Sequence, residues 1–266
     1  MRLGMVTIQM RLLTCSLVAL VALAVGCGLR QPASVEVDPA LAALVPSDTV
    51  SLTGVKLDAL HVTPLYQKWI APELARLSKQ SGVDLQKDVS ELLAISNGKT
   101  AAVFAKGKSS VFRLDSKEPL PRVKGGIPAA LLAKMRSIPP QNQVWAASIG
   151  GGDMLARALP DRGNLANLRN VVIGMESWTV GFDLRGGLKL EADCVYRTEA
   201  DTKRVHDGLR GLVALGRMSA PKDSPEVLRL YDGIEISQEK NALKIAADIP
   251  ADSVNRLLGQ FRPPQL

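Results

Sequence analysis

Histidine and cysteine are scarce in this sequence: the 266-residue chain holds two of the former and three of the latter. His61 and His206 lie far apart, and no H-E-x-x-H, G-x-S-x-G or paired-cysteine pattern occurs. A zinc site or a Ser-His-Asp hydrolase therefore has no visible frame. Aromatic residues are also few, at 4%, and only Phe104 and Phe112 interrupt the most basic segment, which argues against a nucleic-acid surface. The longest apolar run, Leu12 to Val25, falls short of the roughly 20 residues needed to cross a bilayer.

What that run does supply is an export signal. Arg2 and Arg11 form a positive front, and the apolar stretch has the length of a signal-peptide core. Met10 offers a second start with the same parts in order. Cys15 leaves with the signal and Cys27 stands at its end, so Cys194 is alone in the body and no internal disulfide can form. The exported body must be held by its core. Within "LKLEADCVYR", Cys194 shares one strand face with Leu188, Leu190, Ala192 and Tyr196 and reads as a small buried hydrophobe.

Residues 24 to 27, "AVGC", resemble the lipobox of bacterial lipoproteins, with Ala24 where that family prefers Leu. The resemblance implies that Cys27 receives a diacylglyceryl group and becomes the mature first residue. Gly28, rather than Asp, then favours the outer membrane of a two-membrane envelope, on its periplasmic face. More than one acyl chain holds a protein stably, since each buried CH2 contributes about 0.8 kcal/mol and a single chain binds only marginally. A plain secretory signal cleaved nearby is the competing reading. Two body phrases, "LVPSDTVSLTGVKLDALHVTPLYQKW" and "GGIPAALLAKMRSIPPQNQVWAA", are similar to those of bacterial lipoproteins of unknown function, a resemblance that implies no activity.

Removing residues 1–26 leaves enough chain for one large or two small domains. The hydrophobic fraction of 46% and charged fraction of 22% are those of a globular protein. Charge is regional: residues 99–136 hold nine Lys or Arg against Asp115 and Glu118. This segment suits anionic lipid headgroups, an acidic envelope polymer or an envelope protein; solvated strand and loop faces are the plainer account.

The expected organisation is a tether over 27–40, a first α+β unit over 41–126, a connecting helix over 127–140 and a second α+β unit over 141–266. In the first unit "DTVSLTGVKL" reads as a strand with a bulge at Gly54. A helix follows from Thr63-Pro64 to Gly82, kinked at Pro72, and Asn97-Gly98 marks a hairpin. In the second, "QVWAASI" is a strand, Asp153 to Leu159 a short helix, and "NVVIGME" with "WTVGFDL" a strand pair running on into "LKLEADCVYR". Matching Thr100 to Thr179 suggests a degenerate duplication of a strand-helix-three-strand unit. Thr198 with Asp201 opens a long helix, and "GIEIS" and "ALKIAAD" pair before a last helix bearing Val254, Leu257, Leu258 and Phe261 on one face. Hairpins plus separate helices imply an α+β antiparallel sheet with helices packed on one face.

Several motifs carry chemistry in other settings. "SIGGGDML" places Gly150 and Gly152 as in a phosphate-cradling turn, with Glu176 where a ribose-binding acid stands, but Leu155 replaces the third glycine. The S-x-x-K strings at Ser219 to Lys222 and Ser237 to Lys240 lack the helix start that serine chemistry needs. Asp84 and Asp88 fall short of a calcium loop and read as surface carboxylates. His206 is expected on the outer side of its helix and His61 in the link before Thr63. Trp69, Trp145 and Trp178 read as core, with a ligand groove as the alternative. No catalytic, cofactor or metal residue is assigned; Cys27 is the one expected site, for lipidation. The sequence favours a lipid-anchored, non-enzymatic binding or scaffold protein. An envelope hydrolase, or a carrier of an apolar ligand in a cavity lined by Leu, Val and Trp, stays open.

Overall fold

The computed structural model describes residues 34–115, 125–152, 156, 169, 171–220 and 225–260. The signal, Cys27, most of the helix expected over 153–159 and Phe261 lie outside them, as do the side chains of Leu257 and Leu258. Among the described residues no helix is long and apolar enough to cross a membrane.

Among the described residues, nine antiparallel strands form one sheet in the order β4-β3-β2-β1-β5-β6-β7-β9-β8. They are β1 (Ser51–Lys56), β2 (Val89–Ser96), β3 (Ala101–Gly107), β4 (Val111–Arg113), β5 (Val144–Ser148), β6 (Met175–Asp183), β7 (Gly187–Tyr196), β8 (Ile234–Glu239) and β9 (Ala242–Pro250). The helices are α1 (Pro39–Ala42), α2 (Leu57–Leu60), α3 (Ala71–Ser81), α4 (Ala129–Met135), α5 (Glu199–Ser219), α6 (Pro225–Asp232) and α7 (Ala251–Gln260), with a π-helical turn at Tyr66–Ile70 before α3. The protein is thus α+β, with helices packed on an antiparallel sheet.

Period-2 alternation sends neighbouring residues to opposite faces of the sheet. Leu52, Trp145 and Ala147 join Leu131 and Met135 of α4 and Leu41 of α1 in one core. On the opposite face, Val55, Val144 and Phe182 are successive cross-strand partners and pack with Leu57, Leu60 and Leu65. A third cluster on that face, around Trp178, Cys194, Tyr196 and Leu243, is covered by Val205 and Leu209 of α5. The larger helical layer shares this second face, while the short α1 and α4 cover the middle of the first.

Local signals fix most boundaries. Thr198 caps α5, its hydroxyl accepting the Asp201 N–H at 3.1 Å. Pro72 stands in the first turn of α3, where its missing N–H costs nothing, and Gly82 ends that helix at φ 74°. The irregularity expected at Pro72 is the π-helical turn immediately before it. Gly98, at φ 86°, closes the β2–β3 hairpin.

Four expectations are corrected. Gly54 makes no bulge: β1 keeps continuous register with both β2 and β5. "NVVIGME" is not a strand, because residues 171–174 finish a helix and a turn, and one strand starts at Met175. The connection after α5 contains a further helix, α6. The folded body reaches back into the expected tether, for Val35 is 3% exposed and its N–H bonds the Ile138 carbonyl at 3.0 Å. As for the internal match, β1 and β5 start the two halves at the centre and further strands add outward. Matching Thr100 to Thr179 sets β3 against β6, whereas by place in the sheet β6 corresponds to β2.

Candidate functional site

Among the described residues of the Gly-rich turn, the three glycine amides are already taken and offer a phosphate nothing. Gly151 and Gly152 donate their N–H groups to the Glu176 and Met175 carbonyls at 3.1 and 2.9 Å, and the Gly150 N–H bonds the Ser148 hydroxyl. The glycines serve close packing, since a Cβ on Gly152 would fall 1.6 Å from the Val172 carbonyl oxygen. Ser237 lies in β8 and Lys240 in the following turn at φ 53°, while Ser219 ends α5; neither serine opens a helix.

His61 packs edge-on against Tyr66 at 4.6 Å between ring centres. His206 is not the solvated residue expected: its side chain is only 16% exposed, and Nδ1 lies 3.0 Å from Asp207 Oδ1. Asp84 shapes a turn by accepting the Gln86 and Lys87 N–H groups, and Asp88 lies 3.8 Å from Lys108. Among the described residues no three His, Cys, Asp or Glu converge in a metal-holding group. Cys194 is buried, and burial pushes its thiol up to about 12. That position suits packing rather than nucleophilic chemistry.

The basic segment is partly matched by acids. Lys106 is hydrogen-bonded to Asp38, and Arg113 lies 2.7 Å from Asp115. The half-buried Glu91 stands near Lys106, and burial raises its carboxyl above the usual carboxylate range. These partners, apart from Asp115, come from distant sequence, so regional charge counting overstated the free positive surface.

Sequence reasoning missed a half-buried polar knot at the end of β6. Asp183 accepts from Arg185 Nε and Nη2 at 2.9 and 2.7 Å, and the Gln143 side-chain Oε1 accepts the Leu184 N–H at 2.6 Å. The Arg185 guanidinium, foremost, holds the Asp183 carboxyl down at about 2. The knot joins β5 to the β6–β7 turn.

What the tertiary structure does assemble is an apolar cavity of about 230 Å3 on the sheet face under the larger helical layer. Leu188 and Ile249, direct partners across β7 and β9, form its floor with Leu184. Leu65, Trp69 and Ile70 enter from the π-helical turn and its leading residue, and Leu230 of α6 and Val254 of α7 close the far side. Every lining side chain is apolar, and the Trp69 indole N–H is used by Asn255 Oδ1 at 2.7 Å. Trp145 and Trp178, by contrast, are core residues. A wider groove of about 650 Å3 beside α5 has a mixed lining that includes Arg210, Arg217, Asp232 and Glu235. Carboxylates also gather on the uncovered face of β7, β9 and β8, where Glu191, Asp193 and Glu235 stand around Lys244. They lie on an open strand surface rather than in a deep pocket.

No family model matches the sequence. No curated protein matches it either. A solved structure, crystal form I of the Treponema protein TP0453, aligns over 87% of this chain and 100% of that chain, at 12% identity and a TM-score of 0.39.

Proposed function

We propose that this chain is a lipid-anchored, non-enzymatic binding protein of the bacterial envelope that takes up an apolar ligand at a membrane surface. The apolar cavity between sheet and helices carries the reading of the ligand. A concave site lined by hydrophobic side chains is the usual form of a small-molecule site, and this one offers a guest no polar partner. The "AVGC" stretch and acylation of Cys27 support the membrane address, on the periplasmic face of an outer membrane. Arg136, exposed at the end of the basic segment, and the half-buried Lys134 before it suit contact with anionic headgroups or an acidic polymer.

Metabolic labelling with a clickable fatty acid tests the anchor: label is expected on the wild-type protein and none on Cys27→Ala. Incubating the purified full chain in nanodiscs with a photoreactive adamantane tests the cavity. Label is expected on peptides covering Leu65 to Ile70 and Leu184 to Leu188; its absence from both overturns the binding role while leaving the anchor standing.

A further inference from the structure

The cavity's walls specify more than an apolar guest. We infer that it receives one unbranched alkyl chain whose anionic head, a carboxylate or a phosphate, remains outside beside Lys68. This inference rests on the binding role proposed above and names the ligand class for that site.

The enclosed part of the ligand has to be hydrocarbon. The side chains facing it are aliphatic on sheet and helix alike, with one indole, and the indole N–H is already bonded to Asn255 at 2.7 Å. Water in such a space finds no hydrogen-bonding partners, and a dry engineered cavity of about 150 Å3 admits benzene. The volume of about 230 Å3 is larger than that. Flexible Leu and Ile side chains accommodate a bending chain.

The irregular turn in the wall points to the head. Leu65 leads directly into the π-helical turn Tyr66–Ile70, which supplies Trp69 and Ile70 to the wall. Single π-helical turns are frequent at functional sites. The irregular turn also carries Lys68 next to Trp69, with its ammonium 5.1 Å from the indole ring centre. Lys68 is exposed, so a cation stands at the outer edge of a wall that is otherwise hydrocarbon. An amphiphile with a buried tail and an anionic head matches both features, and neither part must leave a charge buried.

The test uses the full chain in nanodiscs of zwitterionic lipid and photoreactive dodecyl probes bearing a carboxylate, a phosphate, an alcohol or a trimethylammonium head, read by peptide mapping. Both anionic probes are expected to label peptides covering Leu65 to Ile70 and Leu230. A difference between carboxylate and phosphate identifies a free fatty acid or a phospholipid-derived source. Filling variants on separate elements, Leu188→Phe and Leu230→Phe, are each expected to lower this label at least tenfold while thermal unfolding stays cooperative. Lys68→Met, an exposed change that leaves the fold intact, lowers labelling by the anionic probes about two- to fivefold and leaves the alcohol unchanged. Labelling by the compact adamantane but by no dodecyl probe overturns the alkyl assignment while the binding role stands. Labelling by no probe overturns both, and equal labelling by the anionic and trimethylammonium probes overturns the role of Lys68.

Discussion

The indole of Trp145 fills the space above Gly54, its direct partner across β1 and β5: a Cβ on that glycine would stand 2.3 Å from Trp145 Cε2. Trp145 is fully buried, so it cannot swing aside. Gly54→Ala is expected to destabilise the protein by about 1–3 kcal/mol through overpacking, read as a lower urea midpoint. In a Trp145→Phe background the same change should cost less, giving a non-zero coupling in a double-variant cycle.

Adjacent leucines on α4 separate core from surface. Leu131 is fully buried and Leu132 is 41% exposed. Leu131→Ala is expected to cost about 2–5 kcal/mol by leaving a cavity, and Leu132→Ala within about 0.5 kcal/mol. Equal losses in urea unfolding would contradict this arrangement of the first core.

Asp183 has a carboxyl held at about 2, below its ordinary 3.8, chiefly by Arg185. A carboxyl depressed in the folded state stabilises it above the unfolded value and loses that contribution as pH falls from about 3.8 towards 2. Asp183→Asn is therefore expected to lower stability by about 1–2 kcal/mol at pH 7, Arg185 being well exposed. The difference from wild type should shrink across that acid window in urea titrations.

The Cys194 thiol, pushed up to about 12 by burial, is expected to resist iodoacetamide at pH 8 in the folded protein and react once the chain is unfolded in urea. Mass spectrometry of the Cys194 peptide reads both states. Rapid native alkylation would show the third cluster to be open to solvent.

The Tyr196 hydroxyl donates to the Val171 carbonyl at 2.7 Å, and burial raises its ionisation above the usual phenol range. Tyr196→Phe is expected to cost about 1 kcal/mol. The difference between ultraviolet titrations of wild type and Tyr196→Phe should show this phenol ionising only above the usual phenol range.

Much of the architecture is written locally. Alternation in "LKLEADCVYR", the Asn97-Gly98 turn and the Thr198 cap each act over a few residues, so the antiparallel strands, α5 and the buried character of Cys194 follow from the sequence alone. "NVVIGME" misleads because a short apolar run serves a helix end and a strand equally well. Gly54 misleads because a break in alternation looks the same whether the backbone bulges or a distant indole needs room. The charges of 99–136 look unmatched because Asp38 and Asp88 meet them only through folding. The two halves join as one sheet through β1 and β5, a pairing that local pattern does not encode. The cavity belongs wholly to that level: Leu188 reads as one face of a strand and Val254 as one face of the last helix, and only the packing of a π-helical turn and two helices over β7 and β9 leaves space between them.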